Sequence, residues 1–214
     1  MKKSIIIISA IILTTLFTSC ASKEKPPRER DETFVADIGQ FEIGTIHLYA
    51  SYGMTQPRIC DFNAVFYPRN NYIYFTTKIG IDKIELCFSY PERKNLSQAK
   101  DKYLELYTEG QIPNEKPKKK NALSTGNAYI NWGTLGPSHQ AYASYYTNIE
   151  YILDNKPYFR ILFEQTKELD DSGNSSPRIN IYISPAQWEQ ICEMCDQATL
   201  EAQVDEILEE AEAF

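Results

Sequence analysis

Histidine is nearly absent from this 214-residue chain, which has two, His47 and His139, far apart in sequence. Without a third histidine, and with no GxGxxG, P-loop, HExxH or GxSxG run, the usual dinucleotide, phosphate, zinc-protease and serine-hydrolase constellations lack their parts. No apolar run reaches the ~20 residues of a membrane-spanning helix. The hydrophobic share of 43% excludes wholesale disorder, and 24% charged residues is an ordinary globular balance. One domain is expected from this length, and no metal or cofactor is indicated.

The first residues have a pattern of their own. Lys2 and Lys3 precede an apolar run from Ile5 to Leu13 that continues through Phe17, a charged segment followed by a hydrophobic one of secretory length. It ends in Leu16-Phe17-Thr18-Ser19-Cys20. This ending resembles the lipobox of bacterial lipoproteins, with Phe17 where a smaller or aliphatic residue is more usual. The resemblance covers about twenty residues and implies cleavage before Cys20, diacylglyceryl attachment to its sulfur and acylation of its nitrogen. By the sorting rules of enteric bacteria, Ala21 rather than an aspartate implies the outer membrane. No family resemblance is found for the rest of the chain.

Removal of residues 1–19 takes away two lysines and leaves 20 basic against 29 acidic side chains, a net charge of −9. That balance opposes binding to nucleic acid and to anionic headgroups. Residues 20–37 then read as the lipidated cysteine and a solvated tether: eight of the thirteen positions from Ala21 to Thr33 are charged, and Pro26-Pro27 lies among them.

From residue 38 to 198 the periodicity predicts a single α+β domain. Strand alternation runs through Phe41, Ile43 and Thr45, then Cys60 to Phe66, Ile73 and Phe75, and Ile84 to Phe88. Leu96, Ala99, Tyr103, Leu106 and Tyr107 recur at helical spacing, with Asn95 as the expected N-cap and Gly110 as the stop. A Pro/Lys linker near 112–121, containing Lys116, Lys118, Lys119 and Lys120, reads as a solvated connection. Four more strands follow at 127–132, 145–153, 158–165 and 178–183. Ser184, Pro185 and Gln187 then form a capping box opening a helix with Trp188, Ile191, Cys192 and Cys195 on one face.

The order predicts a mainly antiparallel sheet in two ββββα units, helices covering one face, plus a C-terminal amphipathic helix. In topology alone this resembles single-strand-binding folds of the PUR type, whose function an acidic exported chain does not share. An eight-stranded lipocalin-like barrel is the second architecture, and the mid-chain helix counts against it.

Four cysteines besides Cys20 lie in what should be an oxidising compartment. Cys60 and Cys87 are on strands, while Cys192 and Cys195 form a CxxC too deep in its helix for the dipole to activate a thiol. They read first as core thiols and second as disulfide partners; zinc would have to recruit all four. His139 falls in an expected loop and reads as a turn residue before a catalytic one. Asp170, Asp171 and Asn174 lack calcium-loop spacing. Tyr72, Tyr74, Tyr158 and Tyr182 occupy the polar faces of their strands, to cover the sheet or to stack a ligand.

From 199 to 214 a stripe of Leu200, Val204, Ile207, Leu208, Ala211 and Phe214 opposes an acidic face, suited to folding back or to docking on an envelope partner or a second copy. The expected function is that of a lipid-anchored envelope protein with a non-enzymatic binding or scaffolding role. The alternatives are an envelope hydrolase working through Asp and Glu, and a small-ligand carrier, which would need the barrel.

Overall fold

The computed structural model describes residues 32–113, 115–170 and 173–212. Residues 31–214 group as one compact unit. Cys20, the signal segment and most of the tether lie outside the described residues, as do Asp171 and Phe214.

Eight antiparallel strands close into a barrel: β1 (Phe41–Tyr52), β2 (Arg58–Tyr67), β3 (Tyr72–Ile79), β4 (Asp82–Ser89), β5 (Ser124–Gly133), β6 (His139–Ile152), β7 (Lys156–Phe163) and β8 (Ile179–Ile183). The expected α+β sheet with helices on one face is therefore wrong. Two joints decide it. The β4 and β5 strands pair from Lys83↔Gly133 to Cys87↔Tyr129 although a helix separates them in sequence. The barrel is closed where β8 meets β1, from Tyr49↔Tyr182 to Tyr52↔Ile179. Neither pairing leaves an edge, so the two expected ββββα units merge into one wall.

The mid-chain helix does not oppose closure because it crosses the end of the barrel. Helix α1 (Tyr90–Thr108) follows β4 directly, and helix α2 (Pro185–Cys195) follows β8. Leu96, Ala99 and Tyr103 of α1 and Trp188 of α2 share one buried cluster with Phe88, Tyr145 and Phe159 from the lumen. Helix α3 (Gln197–Glu212) puts Leu200 and Val204 against Ala64, Phe66 and Ile73 on the inward faces of β2 and β3.

Alternate residues of each strand fill the lumen. Phe62, Leu86, Phe88, Ile130, Ile161, Phe163 and Ile181 supply bulk, while Ala50, Ala128, Ala141 and Ala143 are the small members that let the rings fit. In β1 the inward set changes parity, from Phe41 and Ile43 to Ile46, Leu48 and Ala50, because the register shifts between Glu42 and Gly44. Gly44 has φ 147°, in the region side chains disfavour, and a Cβ there would stand 2.9 Å from the Met194 sulfur.

Helix α1 begins earlier than Asn95. Its N-cap is Ser89, whose hydroxyl accepts from the Glu92 N–H. Asn95 lies one turn inside and instead donates to the Thr125 carbonyl at 3.0 Å. The capping box of α2 is present as expected, with Ser184 N–H donating to Gln187 Oε1 at 2.8 Å. Gln187 Nε2 also donates to the His47 carbonyl at 2.6 Å, which ties α2 to β1.

Candidate functional site: a cavity at the helical end of the barrel

Between the lumen and the helices lies a cavity of about 370 Å³. Its depth is built by Leu48, Phe62, Leu86, Ile161 and Ile181 from five strands, with Phe75, Phe88 and Ile183 above them. Tyr90, Arg93, Lys94, Leu96 and Ser97 of α1 line one side, and Trp188, Ile191, Cys192 and Cys195 of α2, followed by Asp196 and Gln197, line the other. A volume of this size falls in the ~300–1,000 Å³ range of small-molecule pockets, which are apolar with few polar groups. The apolar walls follow from the strand alternation that fills the rest of the lumen.

Arg93 is the polar group of this cavity whose environment is unusual. Its Nη2 donates to the Asn71 carbonyl at 3.1 Å, to Asn71 Oδ1 at 2.6 Å and to Gln197 Oε1 at 3.1 Å. Its guanidinium carbon sits 5.3 Å from the Tyr90 ring centroid and 5.9 Å from that of Phe66. Its Nε is buried and has no hydrogen-bond partner, and among the described residues no carboxylate lies within ion-pair distance of it. Burial pulls the guanidinium down to about 10, the Cys195 thiol and Tyr90 hydroxyl acting the other way. It is a cation at neutral pH. Lys94, by contrast, is exposed and paired with Glu32 at 2.7 Å.

The two cysteines of the CxxC line this cavity, half-buried beside Trp188 and Ile191. Lys100 Nζ lies 3.7 Å from the Cys192 sulfur. Burial raises the Cys195 thiol, with Arg93 opposing. All four described cysteines are free thiols, and Cys60 and Cys87 are not brought to the CxxC. Among the described residues no group of three or more His, Cys, Asp or Glu side chains is placed to hold a metal.

Cys87 instead lies on the outer wall, in a row that runs Tyr74↔Cys87↔Tyr129↔Tyr142 across four strands. Tyr67 packs on Tyr74 with centroids 4.5 Å apart, and Tyr129 on Tyr142 at 4.8 Å. The same wall carries Tyr72, and Tyr158 meets Tyr49 edge-on at 6.0 Å. Burial raises the Cys87 thiol to about 11, above the ordinary thiol range, with the Tyr74 hydroxyl opposing and Glu85 adding to the rise. Alkylation by iodoacetamide at pH 8 is therefore expected to label Cys192 before Cys87, as read by peptide mass spectrometry. The thiolate forms first in the unfolded chain, so this group's contribution to stability declines as pH rises from about 9 toward 11.

His139 begins β6 rather than sitting in a loop. Its Nδ1 lies 2.8 Å from Oε1 of buried Glu168, its ring stacks on Trp132 at 5.4 Å, and Asn174 Nδ2 donates to Glu168 Oε2 at 3.1 Å. Glu168 was not legible as its partner from sequence. These contacts fasten Glu168 and Asn174 to the start of β6. His47 pairs with Asp61 at 2.7 Å on an exposed surface.

Beside the cavity, the Tyr145 hydroxyl donates to Glu92 Oε2 and Asn95 Nδ2 reaches that hydroxyl at 3.3 Å. Gly126 leaves the space for this clasp, since a Cβ there would run into the Glu92 carboxylate and the Tyr145 hydroxyl. Gly126→Ala is expected to cost about 1–3 kcal/mol by breaking it, read as a fall in the denaturant midpoint.

Of the C-terminal stripe, Leu200 and Val204 are buried, Ile207 and Leu208 are 37% and 39% exposed, and Ala211 is exposed. Its first half thus folds back on its own barrel. Among the described residues no helix is long and apolar enough to cross a membrane.

The family model described as "Uncharacterised Treponema protein" matches residues 11–202. The chain belongs to this family. A protein of Treponema pallidum (strain Nichols), described as uncharacterized, is 28% identical over 210 residues, covering 97% of this chain and 73% of that protein. No solved structure matches the chain.

Proposed function

We propose that the chain is an exported envelope protein, tethered through lipid on Cys20, whose barrel binds a small apolar ligand without chemical change. The carrying observation is the 370 Å³ cavity that opens from the lumen between α1 and α2. Close-packed interiors hold few voids larger than a water molecule. A space of this size with aliphatic and aromatic walls favours binding over a purely structural role. The acidic charge of the mature chain fits a tethered body that does not itself lie on anionic lipid.

The test uses N-phenyl-1-naphthylamine, a neutral dye that fluoresces in apolar surroundings. Binding by the lipid-free chain is expected at one site, and Ile191→Trp, which fills the α2 side, is expected to weaken it at least about tenfold, ~1.4 kcal/mol. Ile191 is half-buried on that side, so the fold should tolerate the larger ring. Equal dye binding by both chains would place the dye elsewhere and remove the support for this reading.

A further inference from the structure

Resting on that reading, we propose that the ligand is a single-chain amphiphile with an anionic head, its tail in the lumen and its head on Arg93. The cavity lining is mainly apolar, and of its charged groups Lys94 is paired with Glu32 and Asp196 accepts from Thr199, which leaves Arg93 as the cation without an ion-pair partner among the described residues. The fork of Arg93 is half used. Nη2 is occupied by Asn71 and Gln197 and Nε is closed off from solvent, whereas Nη1 is accessible and makes no hydrogen bond among the described residues. A carboxylate or phosphate oxygen in the cavity gains a charge-assisted hydrogen bond from the free Nη1.

The fork is also held in place. Asn71 sits in a turn at φ 53° and is itself fixed by a 3.1 Å bond to the Glu32 carbonyl, and Gln197 opens α3. The guanidinium also lies over the rings of Tyr90 and Phe66. Such a group binds without first losing side-chain freedom. At ~30 Å³ for a water-sized group, the cavity takes a tail of about a dozen methylenes.

The test is displacement of N-phenyl-1-naphthylamine from the chain of residues 21–214, whose barrel, core and three helices are complete within it. Laurate is expected to compete at least about tenfold better than 1-dodecanol, which has the same tail and no charge. In Arg93→Gln that ratio is expected to fall to about one, while Arg93→Lys retains part of it. Because Arg93 also ties Asn71 to Gln197, the unmodified protein supplies an independent check. Its preference for laurate should disappear as pH falls through the carboxylate range, about 4–5, with the dye still bound.

Lauroyl lysophosphatidylglycerol separates the two sources of such a head. Tighter binding than laurate assigns the ligand to a lipid fragment, weaker binding to a free acid, and either supports an anionic head provided dodecanol is inferior. If dodecanol competes as well as laurate and neither pH nor Arg93→Gln changes the ratio, the anionic head is overturned while the apolar cavity stands. If the dye itself fails to bind, both readings fall.

Discussion

Cells exporting residues 21–214 behind a cleavable signal peptide that lacks a lipobox are expected to release the protein from the membrane pellet into the soluble envelope fraction, essentially completely. The size of the effect follows from the nature of the tether. Each buried methylene contributes about 0.8 kcal/mol, and one acyl chain alone holds only marginally, whereas two or three together hold stably. Among the described residues no helix is long and apolar enough to span, and the charge of −9 expected after cleavage opposes adsorption to anionic headgroups. The stripe on α3 does not substitute for lipid, because Leu200 and Val204 are already buried against the barrel and the opposite face carries Glu201, Asp205, Glu209 and Glu212. Fractionation with detergent-phase partitioning reads the outcome. A processed, lipid-free chain that still pellets would mean that the lipobox resemblance misplaces the anchor.

Local signals located most of this fold, and its closure was beyond them. Strand alternation placed Phe62, Phe66, Ile73, Leu86 and Phe88 on inward faces, where they are. The β1 reading stopped at Thr45 because the bulge at Gly44 shifts the parity, and a period-two pattern cannot continue across an inserted residue. At α1 the signal was present but unused: Ser89 and Glu92 stand three apart with Pro91 between them, much as Ser184, Pro185 and Gln187 open α2. What no local pattern carries is the pairing of β4 with β5 across a helix and of β8 with β1 across the whole chain.

The cavity depends on those pairings. Arg93, Asn71 and Gln197 look like ordinary surface residues in sequence, and they meet across 22 and 104 positions. The placement of His139 was missed for a related reason. Gly136-Pro137-Ser138 signals a turn, yet β6 starts immediately after it, pairing His139 with Trp132.

Phe88→Ala is expected to lower stability by about 3–5 kcal/mol, in the range of large-to-small changes at buried aromatic sites. Phe88 ends β4 where the wall passes into α1, and its ring meets Phe75 at 6.1 Å, Tyr145 at 6.2 Å and Phe163 at 6.1 Å. These neighbours come from β3, β6 and β7, so truncation removes contacts from several parts of the wall at once, together with the aromatic pair contributions. The cost should exceed that of a substitution on the helical side of the cavity, since a closed barrel cannot collapse inward to fill the space without breaking its register. Phe88 also lines the cavity, so the loss of its ring joins new volume to the existing 370 Å³. Two opposite readouts are therefore expected from one variant: a lower midpoint in urea, and recovery of part of that loss on adding an apolar ligand too bulky for the unaltered site, by the linkage of binding to folding. A loss of stability with no ligand recovery would mean that the barrel rearranges around the deletion, which would separate the packing of this ring from the ligand space beside it.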